Sequence, residues 1–523
     1  MNSAPRRKPR TFRFKRYQVP KYIKDALATL KPPDDITVSQ WAEAWRLQLQ
    51  QLRGAGYDAA DHGRLNANWQ AYNESADLTD RVARDTIRAR ARDLERNSDL
   101  ANEIILAFRR NVVGKGFTLQ ARTQSDELNS QLEALWRQWT KSRNCDVTGQ
   151  QSLNQMLRMA VQRKKVDGGI LFLKCYTKDG LLPFKLQALE VDELALSQSV
   201  PKYKDDRVVG GVEFNRYGKP TGYWVQQYSI DGWQTTEPEF HPAKDVIFYY
   251  SKRRPSQLRE VSDFAPTISR IRDANEFITA VSVKERIAAC LAVFIRKTVP
   301  TTGFGRSGQT AAAPKTTYDG KTLTPGMITE MNAGDDVQVV DPKSGSGDAT
   351  TFLKMQQRLI GGGQGISYET AARDMSETTY SSARQASIED EATFGEEIEL
   401  LQDVMSEIYE TFLISAILAG KITIPDFWEH KELYLGHEWV ASPKKWIDPK
   451  KESEANATAL QSGQKTFKQI AAEQGVDWKR QLEDMAEVQE YAAQLGVKIG
   501  GVTDNAQQQQ QDPPDPDDEP QQE

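Results

Sequence analysis

Apolar positions recur at three- and four-residue spacing over most of this chain, and in one central stretch that spacing gives way to short apolar runs set between turn residues. Across residues 78–113, Val82, Ile87 and Leu94, then Ile104, Ile105 and Phe108, fall at helical spacing on either side of Asn97, and Gly114 and Gly116 end the pattern. Residues 126–142 and 153–166 predict two more amphipathic helices, the first with Leu128, Leu132, Leu135, Trp136 and Trp139 on one side. From residue 169 to 250 the runs GILFLKCY, LPFKLQALE, VVGGVEF, GYWVQQY and VIFYY alternate with turn signals such as Lys178-Asp179-Gly180. They predict a small antiparallel β module.

Helical spacing returns after the β module. A long helix is expected with Pro266 at its first position, running through Ile268, Ile271, Phe277, Ile278, Val281 and Ile287 to about Phe294. Residues 298–348 are rich in Gly, Thr, Pro and Ser, with short strand signals at 327–330 and 337–340; a loop insertion of that length usually has a task. A helix over 352–359 is expected to break at the glycines of 361–365, which read as a hinge or flexible loop. The next helix starts near Ser382, buries Ile388, Phe394, Ile398, Leu401, Met405, Ile408 and Phe412, and stops at Gly420. Residues 449–496 read as polar helices. The predicted fold class is α+β, with no internal repeat of 20 to 50 residues.

Composition changes this picture at the two ends. The 523 residues carry 68 Lys+Arg against 73 Asp+Glu, a net charge of -5, and mean hydropathy is -0.64. Yet residues 1–31 hold ten bases and one acid, including Arg6, Arg7, Lys8, Arg10, Arg13, Lys15 and Arg16, whereas no base follows Lys498. Both ends read as tails, and the basic arm stands open between nucleic-acid contact and a solvated or protein-docking role. The arginines leave no room for a signal peptide, and no apolar run reaches the ~20 residues of a membrane span. Cys145, Cys175 and Cys290 are too scattered for a disulfide framework or zinc cluster and fit a reducing compartment.

Positive signs of catalysis are missing. Gly320-Lys321-Thr322 ends like a phosphate loop, but Lys315 stands where that loop needs glycine. His62, His241, His430 and His437 lack metal-ligand spacing and read as structural, and there is no Gly-x-Ser-x-Gly elbow. No enzyme and no cofactor are expected.

Four groups of residues, in order along the chain, carry a family likeness. The first is 90–97 (RARDLERN), Ala101 and 111–116 (NVVGKG). The second is Leu323-Thr324-Pro325-Gly326 with Ala333-Gly334-Asp335-Asp336. The third is Ile366-Ser367-Tyr368-Glu369, Arg373-Asp374-Met375-Ser376 and Tyr380-Ser381-Ser382-Ala383-Arg384. The last is 447–452 (IDPKKE), Gly463 and 474–478 (QGVDW). Together they resemble lambda-type phage portal proteins over most of the chain.

That resemblance implies a portal fold with helical wing, stem and crown and a small β module, built as a ring, usually of twelve subunits, around a central channel. In the virion such a ring occupies one vertex of the capsid, and double-stranded DNA passes through it, pumped by the terminase large subunit on another polypeptide. It implies head-tail adaptor or neck proteins, major capsid and scaffold proteins as further partners, assembly in the host bacterial cytoplasm and no membrane. The layers fall at 1–39 (basic arm), 40–263 (wing), 264–294 and 351–366 (stem helices), 295–350 (clip), 367–383 (tunnel loop), 384–448 (long wing helix and following segment), 449–500 (crown) and 501–523 (acidic tail). Tyr368, Glu369, Arg373, Asp374, Tyr380, Ser381, Ser382 and Arg384 are then candidates to line the channel, although Ser381 or Ser382 also reads as a helix N-cap. Lys297, Arg306, Lys315 and Lys321 are candidate partner contacts in the clip. A nucleic-acid-binding regulator or a scaffold or capsid-assembly protein using the basic arm is the competing expectation.

Overall fold

The structure is a computed structural model that describes residues 71, 73–229, 231–232, 235–289, 293–297, 335–339, 346–442 and 448–497. The chain forms two compact units, Met1–Glu74 and Ser75–Glu523, and every helix and strand among the described residues belongs to the second.

Helix α1, Ala76–Asn97, starts at the N-cap Ser75 and ends at Ser98, whose hydroxyl caps α2, Asp99–Phe108. α2 closes in a π-helical turn over Arg109–Val113, and Gly114 at φ 51 releases the chain. Strand β1, Thr118–Ala121, follows, then α3, Asp126–Trp139, and α4, Leu153–Asp167, which ends on the left-handed Gly168.

The β module is two sheets rather than one. β2 (Gly169–Tyr176) lies between β3 (Phe184–Leu189) and β8 (Val246–Tyr250), while β4 (Arg207–Val209), β5 (Val212–Phe214), β6 (Pro220–Val225) and β7 (Glu239–Pro242) pair in order, all antiparallel. The run VVGGVEF, which reads as one strand, is the β4–β5 hairpin: Gly210 and Gly211 both take positive φ, the geometry of a tight two-residue turn. β2 is apolar at every early position because both its faces are covered. Ile170 and Phe172 join the main core, and Leu171 and Leu173 a second core shared with Val212, Phe214, Tyr223 and Val225.

Helix α5 spans Ile268–Ala289. Pro266 therefore precedes the helix, in a turn that Phe264 O closes by accepting from Thr267 and Ile268. The expected helical end near Phe294 is corrected as well, since β9, Val293–Lys297, is already strand and pairs antiparallel with β10, Asp335–Val339. The strand signal at 337–340 is matched there; that at 327–330 lies outside the described residues.

Helix α6, Ser346–Gly363, is longer than the 352–359 predicted and runs through the first glycines. It ends in a Schellman turn rather than a hinge: Ile366 N–H bonds Gly361 O at 3.0 Å and Gly365 N–H bonds Gly362 O at 3.1 Å, with Gly365 left-handed. A short α7, Tyr368–Ala372, sits inside the stretch read as a loop. The 39-residue α8, Tyr380–Leu418, starts at the N-cap Thr379, so Ser381 and Ser382 are not caps; Ser382 is the third helical residue and completes a capping box with Thr379. Gly420 ends α8 as expected. β11, His437–Val440, returns to pair with β1, and α9 (Pro449–Gln461), α10 (Phe467–Glu473) and α11 (Trp478–Gln494) follow.

The main core is the α2–α4–α8 junction. Phe108 meets Phe394 edge to face at 5.1 Å, and Trp136, Trp139, Tyr409 and Phe412 form one aromatic cluster closed by Phe184. Each such fully buried side chain contributes about 1.5–3 kcal/mol.

Candidate functional site

The 366–384 segment is built from its own hydroxyls and carboxylates. Asp390, buried on α8, accepts from Ser367 N at 2.6 Å, Ser367 Oγ at 2.8 Å and Thr370 Oγ1 at 2.5 Å, which fixes the start of α7 to the long helix. Tyr368 donates its hydroxyl to Asp374 at 2.7 Å, and Arg358 lies over its ring. The Ser376 hydroxyl and the Tyr368 phenol hold the Asp374 carboxyl down at about 2, while burial and that carboxylate push the Tyr368 phenol up to about 12. Arg373 takes φ 53 as the C-cap of α7, a rare conformation for a side-chain-bearing residue, and pairs with Glu103 of α2 at 2.6 Å.

Tyr380 and Arg384 turn to another element. Lys451 sits over the Tyr380 ring at 4.5 Å, and Arg384 pairs with Glu452 at 3.7 Å, both partners belonging to the first turn of α9. Thus Tyr368 and Asp374 are brought together, Arg373 is held by α2, and Tyr380 and Arg384 are held by α9. Ser381 and Ser382 lie exposed in the first turn of α8, and Glu369 lies in α7. Lys297 is in β9, opposite Asp335. Arg306, Lys315 and Lys321 lie outside the described residues, as do Arg6, Arg7, Lys8, Arg10, Arg13, Lys15 and Arg16.

Two ionic clusters, one buried and one half-buried, escape any reading by periodicity. Asp263, just before α5, accepts from Lys164 at 3.1 Å and Arg253 at 2.7 Å, and Lys164 also donates to Glu397 of α8 at 2.6 Å. Burial raises the Asp263 carboxyl, but Lys165, Lys164 and Arg253 together outweigh it and hold it below its usual value. Gln364, after α6, donates to Asp263 O at 3.0 Å and Thr267 Oγ1 at 2.9 Å, so the base of α5 and the end of α6 share one joint. In the second cluster, Arg92 of the first motif group bridges Asp167 and Asp192 at 2.6 Å each, and Glu95 takes Gln162 and Arg163. That stretch therefore holds α1 to its neighbours. Val112 and Val113 of the same group are fully buried, and Arg158 donates to Gly114 O at 2.6 Å.

His437 is structural: its ring lies between Leu435 O and Ser406 Oγ and packs on Tyr409. Among the described residues no group of three or more His, Cys, Asp or Glu is placed to hold a metal, and no helix is long and apolar enough to cross a membrane.

Several known proteins are similar to this chain. A probable portal protein of Halomonas phage phiHAP-1 is 25% identical over 446 residues, covering 80% of this chain and 83% of the relative. Portal protein B of Escherichia phage lambda is 20% identical over 492 residues, covering 87% and 90%. Among solved structures, the neck of a native gene transfer agent particle computed with C12 symmetry aligns at 14% identity and TM-score 0.41, covering 78% of this chain and 95% of that one. The family described as phage portal protein, lambda family, matches residues 62–397, and with well over half the chain inside that match, the chain belongs to the lambda family of phage portal proteins.

Proposed function

We propose that the chain works as a closed ring, of twelve subunits as the resemblance implies, at one vertex of a phage head, where DNA is packaged by a separate terminase motor and later ejected. One observation beyond family membership supports the ring. α5 and α6 run antiparallel, joined at their base by Gln364 and along their length by the Phe277–Phe352 ring contact at 4.7 Å. Beyond its buried first turns, marked by Ile271 and Ala274, this pair carries Ile278, Val283, Met355 and Leu359 at 40% to 48% exposure. Such an uncovered apolar pair suits packing against the same pair in neighbouring copies. In this reading α5 and α6 are the stem, the β9–β10 ribbon begins and ends the clip, and α9 to α11 belong to the crown.

Negative-stain imaging of the purified chain tests the ring. Closed rings with an axial hole are expected, and the same chain with Met355→Asp and Leu359→Asp is expected to stay folded as a monomer. Monomers from the unaltered chain, or rings from the doubly substituted one, would overturn this reading. The segment 367–384 and the residues Tyr368, Arg373, Asp374, Tyr380 and Arg384 are placed along the DNA path, and Lys297, Arg306, Lys315 and Lys321 at the surface that meets terminase and the neck adaptor. A ring with clip residues 298–334 deleted should bind both partners more weakly than the intact ring.

A further inference from the structure

Strands β4 to β7 bury one face and turn the other outward. Val212, Phe214, Tyr223 and Val225 join the second core, so Glu213, Gly222, Trp224 and Phe240, which the register sets side by side, share the outer face. A Cβ at position 222 would run into the Phe240 ring, so only glycine lets that ring come so close. Residues 201–206 cross this face, pinned by the buried Glu213, which accepts from the Lys202 N–H at 2.9 Å, the Tyr203 N–H at 2.8 Å and Trp224 Nε1 at 3.1 Å.

The crossing presents rings and cations together. Lys202 stands over the Phe240 ring at 4.5 Å, and Tyr203, 46% exposed, meets the same ring edge to face at 5.7 Å. Thr221 donates its hydroxyl to Asp206 at 2.6 Å, which brings the β5–β6 turn alongside. In that turn Asn215 accepts from the Tyr217 N–H at 2.9 Å and the Lys219 N–H at 3.0 Å, and Arg216 lies over the Tyr217 ring at 4.5 Å. Tyr217 is 76% exposed. Both tyrosines therefore stand on backbone that is fixed before anything binds, which lowers the cost of binding.

Charge at this end of the sheet is positive. Lys202, Lys204, Arg207, Arg216 and Lys219 stand against three acids: Glu213 is buried on the three donors above, Asp206 is half-buried on Thr221, and Asp205 is exposed. Lys244 and Asp245 after β7 cancel, and Glu239 lies at the far end of β7, opposite Val225. The chain itself carries a segment of complementary chemistry. Residues 512–523, outside the described residues, hold six acids, four prolines and no base. The 14 residues from 498 to 511 span up to roughly 50 Å when extended, so the segment reaches well clear of α11. Proline rings lie well on aromatic faces, and a fixed φ leaves less chain entropy to lose. A polyphosphate, charged at every unit, would meet Asp205 and Asp206 as well, whereas prolines space the acids of 512–523.

We propose that residues 512–523 of this chain dock on the outer face of the β4–β7 sheet, with prolines against Tyr203 and Tyr217 and carboxylates against Lys202, Lys204, Arg216 and Lys219. Rings supply the fit and the cations supply the attraction. The contact goes beyond ring formation and does not depend on it.

Carbodiimide coupling of carboxylates to lysines in the full chain, read by mass spectrometry, tests this contact. Links from the acids of 512–523 to Lys204 and Lys219 are expected about tenfold above those to exposed lysines elsewhere, such as Lys421 and Lys450. Arg216→Glu with Tyr217→Ser leaves both reporter lysines in place and is expected to cut their links about tenfold at unchanged thermal stability. Alanine at Pro513, Pro514, Pro516 and Pro520 together should cut them about threefold. Links spread evenly over the exposed lysines, or links unchanged by either set of substitutions, would overturn the proposal. So would a single-stranded DNA of twelve nucleotides that abolishes the links at a concentration where a free capped peptide of residues 512–523 does not, because the face would then be a nucleic-acid surface.

Discussion

Glu133 shows how one residue can support a fold at some expense to itself. Burial raises its carboxyl, the Ala121 N–H pulls the other way, and Asp477 adds to the rise. A carboxyl with a raised folded pKa binds protons more readily in the folded chain, so its ionised form lowers stability at neutral pH, and that penalty fades as pH falls through the folded value. Glu133→Gln keeps an acceptor for Ala121 and removes the charge. The denaturation midpoint at pH 7 should rise, with the gain gone at about pH 3, below the ordinary carboxylate range; a fall at pH 7 would show that the charge itself holds β1. Arg373 marks the limit of reading single residues from sequence. Its motif nominates it, but nothing local foretells the left-handed backbone or the pairing with Glu103, which is distant in sequence and reached only through the fold.

Among elements, periodicity locates α1 to α5 and α8, because each buries a stripe against the common core, and Gly114, Gly168 and Gly420 terminate helices through positive φ. It misreads 361–365 because composition cannot tell a flexible glycine from one required by close approach. A Cβ on Gly363 would lie 2.7 Å from Thr267 Cγ2, whereas one on Gly362 would meet nothing. The two neighbours should therefore respond with opposite sign. Gly362→Ala should stabilise by about 0.5–1 kcal/mol through reduced chain entropy, and Gly363→Ala should destabilise by about 1–3 kcal/mol through overpacking. Adding Thr267→Ser, which removes the clashing methyl and keeps the hydroxyl that Gln364 uses, should recover most of that loss in thermal unfolding. If the serine recovers nothing, the α5–α6 joint is not set by this contact. The ionic clusters are invisible for a different reason: Lys164, Asp263 and Glu397 come from three separate segments, and charge carries no period.

For the whole molecule the near-neutral net charge acquires a meaning. A portal passes DNA, and each fixed phosphate contact, multiplied around a ring, would add affinity that slows passage. In the segment proposed to line the path the cations are already answered, Arg373 by Glu103 and Arg384 by Glu452. Heads carrying alanine at Arg373, Tyr380 and Arg384 together should still contain rings yet package less DNA, and full packaging by such heads would remove these residues from the path. α8 joins these contacts to the core. Its 39 residues make a rod of roughly 58 Å at 1.5 Å per residue, free of proline, with Arg384 near one end and Phe412 packed among the tryptophans near the other. A rod without a joint cannot absorb a displacement along its length. A push on α9 at Glu452 is therefore carried by α8 toward the aromatic cluster as a tilt, so the two ends of this helix are geared to one another.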